Sequence, residues 1–380
     1  MTQADRSLFV VGALPEAAMR NVAEAAASVG LSTARVAHCH EAPAALGSAV
    51  DPLAIVLRMD AEGASMACAH VRAQARLAQL PILCVAPQRD DIAFTELFSW
   101  GGDDLVSAAS AQPLARRLRQ LLGRAPARRE QKATREQCAI VAGSDARWRS
   151  VMGRALYQGG FSVRFVAGAS ELAEESVGQA VRVVALAEDP TFGDAEAIVT
   201  AAQERGSEAA WVVVAPPKRM AALHASIGSR PRVSIADGYA PPENVLFLTN
   251  ELLSRRGVDQ RASARVLYGT AVVFRVAGRD EDEIGFSYNV SAGGLYVRTL
   301  APPDAGQEIW LEMWPPRCER RVRLAGTVAW RRPFGPSEGA TVPAGFGVKI
   351  TDGLSGDLDR WRAGYDAFAA NLLGTSAAGG

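Results

Sequence analysis

Short apolar runs alternate with stretches of helical period over the first third of the chain. Leu8–Val11 is a continuous apolar run, the right length for a buried strand and too short for a helix. From Pro15 to Val29 apolar residues recur at helical spacing, with proline in the first turn and Gly30 just past the end. Arg35–Ala37, Leu53–Leu57 and Pro81–Val85 predict three more strands, and residues 65–78 an intervening helix. From Pro113 onward, Leu114, Leu118, Leu121 and Leu122 fall at i, i+4, i+7 and i+8, one face of a closing helix. Strand–helix alternation of this kind predicts a parallel sheet covered on both faces.

The pattern stops at the charged string GRAPARREQKATREQ (123–137), which reads as a linker, and then begins again. Ala139–Ala142 predicts a strand and Ala146–Gln158 a helix, with Trp148, Val151, Met152, Ala155 and Leu156 on its apolar side. Val163–Val166, Arg182–Ala187 and Trp211–Ala215 follow as strands, and Val245–Arg255 as a closing helix. The shared order of elements implies an internal repeat of about 130 residues. After residue 257 the period changes to short alternating strands punctuated by glycine and proline, including Ala271–Val276, Leu295–Leu300 and Ile309–Trp314. A last helix spans 355–373, its stripe made of Leu354, Leu358, Trp361, Tyr365, Phe368 and Leu372, expected to pack on the β segment. The resulting division is 1–123, a linker at 124–137, 138–256, and 257–375.

Composition narrows the function. The formal net charge is zero, which argues against nucleic-acid or membrane-surface binding driven by counterion release. Apolar residues make up 48% of the chain, enough for several cores. The five cysteines form no CxxC pair, and His38 and His40, on one short strand end, are read as structural, so no metal or cofactor is expected. The first residues lack a basic segment and an apolar core, and no apolar run approaches about 18 residues, so a cytoplasmic protein without membrane insertion is expected. No Ser/His/Asp order, GxxxxGK[ST] loop or HExxH helix is present, which points away from an enzyme.

The most specific chemistry lies near the start of the β segment. Arg261 and Arg265 stand four apart, and Asn289, Ser291, Gly293 and Gly294 follow after a further 24 residues. Guanidinium groups grip phosphates bidentately and stack on flat bases, while an amide and a hydroxyl read a base edge. Glycine lets a ligand come close to the backbone. Together they describe a pocket for a small anionic nucleotide. Residues of about 258 to 372 resemble a PilZ domain, whose mark is RxxxR followed by D/NxSxxG. The strand at 293–299, the GxVxW string ending at Trp330 and the GxGV string opening at Gly345 fit the same family. The resemblance implies a six-stranded barrel that binds cyclic di-GMP and carries no catalysis. By position, Arg261 and Arg265 would hold phosphates and stack on guanines, Asn289 and Ser291 would meet a guanine edge, and Gly293 and Gly294 would shape the turn. Asn stands where many members have Asp, and an amide has one acceptor oxygen where a carboxylate has two.

Both repeats resemble receiver domains of two-component systems, with Gly101-Gly102-Asp103-Asp104 similar to the turn before the last strand. The expected fold is therefore two flavodoxin-like, doubly wound sheets followed by a barrel with a terminal helix. A working receiver needs acidic residues after strand one, an aspartate at the end of strand three, a hydroxyl after strand four and a lysine after strand five. The first repeat offers Gly12-Ala13, Arg58, Val85 and Ala108 at those places, with Asp60 two residues late. The second offers Asp145 and Glu188, which could hold a cation, and Asp189, but no lysine after Asp237. Two phosphorylation-incompetent receivers are expected, serving protein contact or self-association through the faces built from their last strands and helices. Alternatives are a barrel adaptor that binds no cyclic di-GMP, or a regulator phosphorylated on Asp60 or Asp189. The arginines at 255, 256, 261 and 265 suggest that a ligand carrying two phosphates pins the junction before the barrel and re-aims the receivers.

Overall fold

The structure, a computed structural model, describes residues 6–49, 51–123, 137–178, 180–254, 264–335 and 342–377. Arg261, Arg255–Gly257 and the linker through residue 136 therefore lie outside the described residues. The chain divides into two compact units. Residues 1–126, 261–334 and 344–377 make one; residues 127–260, with 335–343 and 378–380, make the other.

The first unit opens with β1 (Ser7–Val11), α1 (Glu16–Ala27), β2 (Ser32–Val36), α2 (Ala42–Ser48), β3 (Pro52–Arg58) and α3 (Ala64–Ala73). It continues with β4 (Ile82–Val85), α4 (Asp91–Ser99), β5 (Asp104–Val106) and α5 (Gln112–Leu122). The strands are parallel in the order β2-β1-β3-β4-β5, the flavodoxin-like winding. Leu8 and Val10 face one layer of helices and Phe9 and Val11 the other, so the run has no polar face. The helix expected over 65–78 stops at Ala73. Buried Arg72 holds the turns that follow, donating to the carbonyls of Ala78 and Leu80 at 3.0 and 2.7 Å.

The second unit repeats the plan with β6 (Cys138–Ala142), α6 (Ala146–Gln158), β7 (Ser162–Val166), α7 (Ala169–Glu175) and β8 (Val181–Ala187). Then come α8 (Ala195–Glu204), β9 (Ala210–Ala215), α9 (Pro217–Ile227), β10 (Val233–Asp237) and α10 (Asn244–Ser254). Its order, β10-β9-β8-β6-β7, is the same winding read from the other edge. Asp145 and Asp194 cap α6 and α8, accepting from backbone N–H groups that would otherwise lack a partner.

The barrel belongs to the first unit. It comprises β11 (Val266–Leu267), β12 (Ala271–Val276), β13 (Glu283–Ser291), β14 (Gly294–Arg298), β15 (Glu308–Met313), β16 (Val322–Arg332) and β17 (Gly345–Gly353). Antiparallel pairing runs β13-β12-β15-β16-β17-β14, and β14 pairs back onto β13, closing six strands. The two-residue β11 lies alongside the far end of β13. The closing helix α11 (Asp357–Ala377) seats Trp361, Tyr365 and Ala369 in the barrel core, as its stripe predicts. Leu354 departs from that stripe and is 57% exposed, because it precedes the helix in a separate 3-10 turn. Leu372 lies where no side chain is described.

The first α/β layer and the barrel share a core, which sequence patterning does not show. Ile284 and Phe286 of β13 join the cluster containing Phe94, Leu97 and Phe98 of α4. Phe286 packs 5.0 Å from Phe94 and 5.6 Å from Phe98, ring centre to ring centre, and the Arg298 guanidinium lies 3.5 Å above Phe98. Such a buried phenylalanine contributes about 1.5–3 kcal/mol. Beside it, fully buried Arg117 donates to Asp104 at 2.8 Å, to Glu283 at 2.7 Å and to the Ile284 carbonyl at 3.0 Å. One expectation changes here. The face of the first repeat built from α4, β5 and α5 holds the barrel rather than standing open for self-association. Glu283, the last of four acids in a row from Asp280, is buried because two adjacent arginines on α5, Arg116 and Arg117, meet it.

Candidate functional site

A cleft of about 200 Å³ opens where β13 turns into β14, facing β16 and β17. Arg265, Asn289, Ser291, Gly293 and Gly294 line it, so every expected site residue that is described reaches one place. Backbone pairing brings them together. Leu267 lies opposite Asn289, which carries Arg265 to the hairpin from the side. Ser291 pairs with Gly294 across the turn, and its hydroxyl donates to the Gly294 carbonyl at 3.2 Å. A Cβ at Gly294 would stand 2.2 Å from the Val348 carbonyl oxygen, so only glycine lets β14 approach β17 and close the barrel. Gly293 has no such neighbour and is exposed, which leaves its backbone open to a ligand.

Two bulges flank the cleft and aim its side chains. On β13 the register slips between Ser287 and Asn289, leaving Tyr288 as the extra residue. On β16 it slips between Val328 and Trp330, leaving Ala329 as the extra residue. Such insertions turn the following side chain and strengthen the local twist. Asn289 is consequently buried to 5% exposure at the cleft floor, and Trp330 stands at its wall with 37% exposed. The indole stacks on Tyr296, centroids 4.9 Å apart and planes 28° from parallel. It also lies across Gly347, where a Cβ would come within 2.5 Å of the indole nitrogen. Burial pushes the Tyr296 phenol well above its ordinary pKa, so that ring is neutral. Exposed Lys349 completes the lining.

Trp330, Tyr296 and Lys349 are among the lining residues that sequence reasoning gave no role. Trp330 and Tyr296 lay inside strings already singled out, but only the bulges show that they face the ligand motif. Lys349, one of three lysines beside many arginines, was the remaining signal.

At the receiver-like positions the carboxylates are engaged by neighbouring side chains and backbone. Arg58 chelates Asp60 with two bonds of 2.8 Å and donates to the Ala13 carbonyl at 2.6 Å, filling the place where a metal would sit. The bond from Arg58 holds the Asp60 carboxyl below its usual range. In the second repeat the two acids that could have held a cation are engaged elsewhere. Asp145 turns back to cap α6, and Glu188 is ion-paired to Arg219 at 2.8 Å. Asp189 accepts from the Ser144 and Thr191 hydroxyls, and the Ser144 bond above all draws its pKa down to about 2. Among the described residues no group of three or more His, Cys, Asp and Glu side chains could hold a metal ion.

The closed barrel thus carries a small cleft walled by the Trp330 and Tyr296 rings and floored by the Asn289 amide. Residues 259–362 match the PilZ domain family and form a PilZ domain, a family of cyclic di-GMP receptors. No curated protein is close enough to the chain to count as a relative. Among solved structures, the chain is similar to the Bacillus subtilis inhibitor of motility MotI/DgrA, 18% identical over 30% of this chain with a TM-score of 0.25. It spans about half, 53%, of that relative's length. The PilZ domain of CeSA from a cellulose-synthesizing bacterium is 15% identical over 28% of this chain and 98% of its own, TM-score 0.21. A probable two-component response regulator/GGDEF domain protein is 16% identical over 66% of this chain and 98% of its own, TM-score 0.28. Among the described residues no helix is long and apolar enough to cross a membrane.

Proposed function

We propose that this chain is a non-enzymatic effector that binds cyclic di-GMP in the barrel cleft and changes how its receiver-like domains meet protein partners. The observation that carries the reading is the convergence of Arg265, Asn289, Ser291, Gly293 and Gly294 on one cleft beside the Trp330–Tyr296 stack. At about 200 Å³ the cleft is smaller than the roughly 300–1,000 Å³ that encloses a whole ligand, so it suits one guanine end of the dinucleotide. Asn289 and Ser291 meet the base edge, the exposed face of Trp330 offers a stacking platform, and Arg265 and Lys349 take the phosphates at the rim. Arg261, outside the described residues, is the second cation of the same pair.

The α/β domains supply contact rather than chemistry. Asp60 is sequestered by Arg58, and Asp189 by two hydroxyls, which disfavours a phosphorylated regulator. With the α4–β5–α5 face of the first repeat occupied by the barrel, the second repeat is the better source of a surface for a signalling protein or a second copy. Calorimetric titration of the full chain with cyclic di-GMP tests the reading. Saturable heat, abolished in Arg265→Ala/Asn289→Ala, is expected; no heat at high micromolar ligand leaves the adaptor reading in its place.

A further inference from the structure

Both arms of the cleft continue to the first α/β domain. One arm runs from Arg265 through β11 to Thr270, five residues on. There the Thr270 hydroxyl reaches the Asp91 carboxylate at 3.1 Å, and the Ala271 N–H donates to it at 2.6 Å. Asp91 is the first residue of α4. The other arm runs down β13 from Asn289 to Glu283, about 20 Å at some 3.3 Å per residue, and ends on Arg117 of α5. Its partner β14 leads from Tyr296 at the cleft to Arg298 over Phe98, and beyond it the Leu300 N–H donates to Asp104 at 2.8 Å.

The second arm is stiff: its contacts are buried and its strands are paired along their length. The first arm has the shorter pairing. β11 has two residues, paired to Val290 and Asn289; Val266 is buried in the barrel core and the Ala264 carbonyl accepts from the Tyr365 hydroxyl at 2.7 Å, while Arg265 between them is exposed. Beyond it, Ser287 stitches the strand break: its hydroxyl accepts from the Thr270 N–H at 2.9 Å and donates to the Tyr268 carbonyl at 2.6 Å. Zipping β11 onto β13 therefore sets the backbone that presents Thr270 and Ala271 to Asp91. A ligand touching Arg265 on one side and Asn289 and Ser291 on the other favours the zipped form.

We propose that α4 of the first α/β domain reads cleft occupancy through β11, with Asp91 and Thr270 as the coupling pair and the Arg117 cluster as the fixed fulcrum. The proposal rests on the cleft reading above and adds its output. Linkage makes the effect mutual: weakening the Asp91 contact weakens ligand binding by the same factor that the ligand strengthens the contact. A ligand that holds the zipped and unzipped forms equally well shifts nothing.

Hydrogen exchange on the full chain, with and without saturating cyclic di-GMP and with calorimetry on the same samples, tests this. In the wild type, exchange slows at residues 266–271 and in α4 by roughly fivefold or more, the low end of measured couplings. In Asp91→Ala, at an exposed position away from the cleft, slowing persists at 266–268, is lost in α4, and affinity falls by the same factor. Thr270→Val, which removes the hydroxyl at nearly constant shape, gives the same result from the barrel side. Heat of binding with unchanged exchange in α4 overturns the coupling and leaves the site standing. Slowing in α4 that survives both variants overturns the route. Absence of heat overturns the cleft reading itself, and the coupling with it.

Discussion

Replacing Arg117 with alanine should split the first unit more severely than any surface substitution. The guanidinium is fully buried, and its loss leaves Asp104 and Glu283, 1% and 3% exposed, without their shared counter-ion. Removing one partner of a buried ion pair costs about 3–5 kcal/mol. For a unit of this size that corresponds to a fall in melting temperature of roughly 2–4 °C per kcal/mol, or about 6–20 °C. Differential scanning calorimetry of the full chain measures it, with Arg20→Ala, which opens an exposed pair to Glu16, shifting the transition by less than about 2 °C. The pH dependence has a definite sign. Burial already pushes the Asp104 carboxyl above its ordinary pKa, against the pull of Arg117. Without that cation the folded state binds protons more tightly than the unfolded chain, so the deficit shrinks as pH falls from 8 to 5. A shift no larger than that of Arg20→Ala, or a deficit that grows on acidification, refutes the argument that this cluster holds layer and barrel together.

Other outcomes follow from single contacts. Arg265→Ala should weaken cyclic di-GMP binding roughly ten- to a hundredfold, the loss of a charge-assisted bond, while Arg279→Ala, in the loop between β12 and β13 and outside the cleft lining, leaves the calorimetric isotherm unchanged. Gly294→Ala should lower the barrel's thermal stability sharply, because its Cβ meets the Val348 carbonyl oxygen, whereas Gly293→Ala, with open space around it, leaves the melt within about 1 kcal/mol. Asp189, held near pKa 2 mainly by the Ser144 hydroxyl, stabilises the second unit above its unfolded pKa of about 4, and that contribution is lost as pH falls from about 4 to 2. Ser144→Ala should narrow that loss in acid titrations followed by circular dichroism. Acetyl phosphate should leave the intact mass unchanged, since Arg58 occupies both oxygens of Asp60.

Local pattern determined many of the elements and the candidate site residues, those described lining one cleft. Runs such as Trp211–Ala215 are legible as strands because a parallel sheet covered on both faces has no polar side. The arginine and asparagine–serine–glycine strings are legible because phosphate and base recognition demand those donors wherever the fold places them. Helix α4 was one of several elements that pattern missed, with α2, α7, α8 and α9: Ile92 is 69% exposed, while Phe94 and Phe98 bury against Phe286, nearly two hundred residues away. The same holds for Glu283 and Arg117, whose charges give no local sign of burial until distant strands bring them into one dry cluster. The cleft walls were hidden for a different reason. A bulge adds one residue to one strand, and only the register of the closed barrel shows that Trp330 and Asn289 turn toward the same opening. Spacing along the chain determines what each segment can become; which charges are buried and which rings face a ligand depends on non-local pairing, because burial belongs to the partners a residue meets.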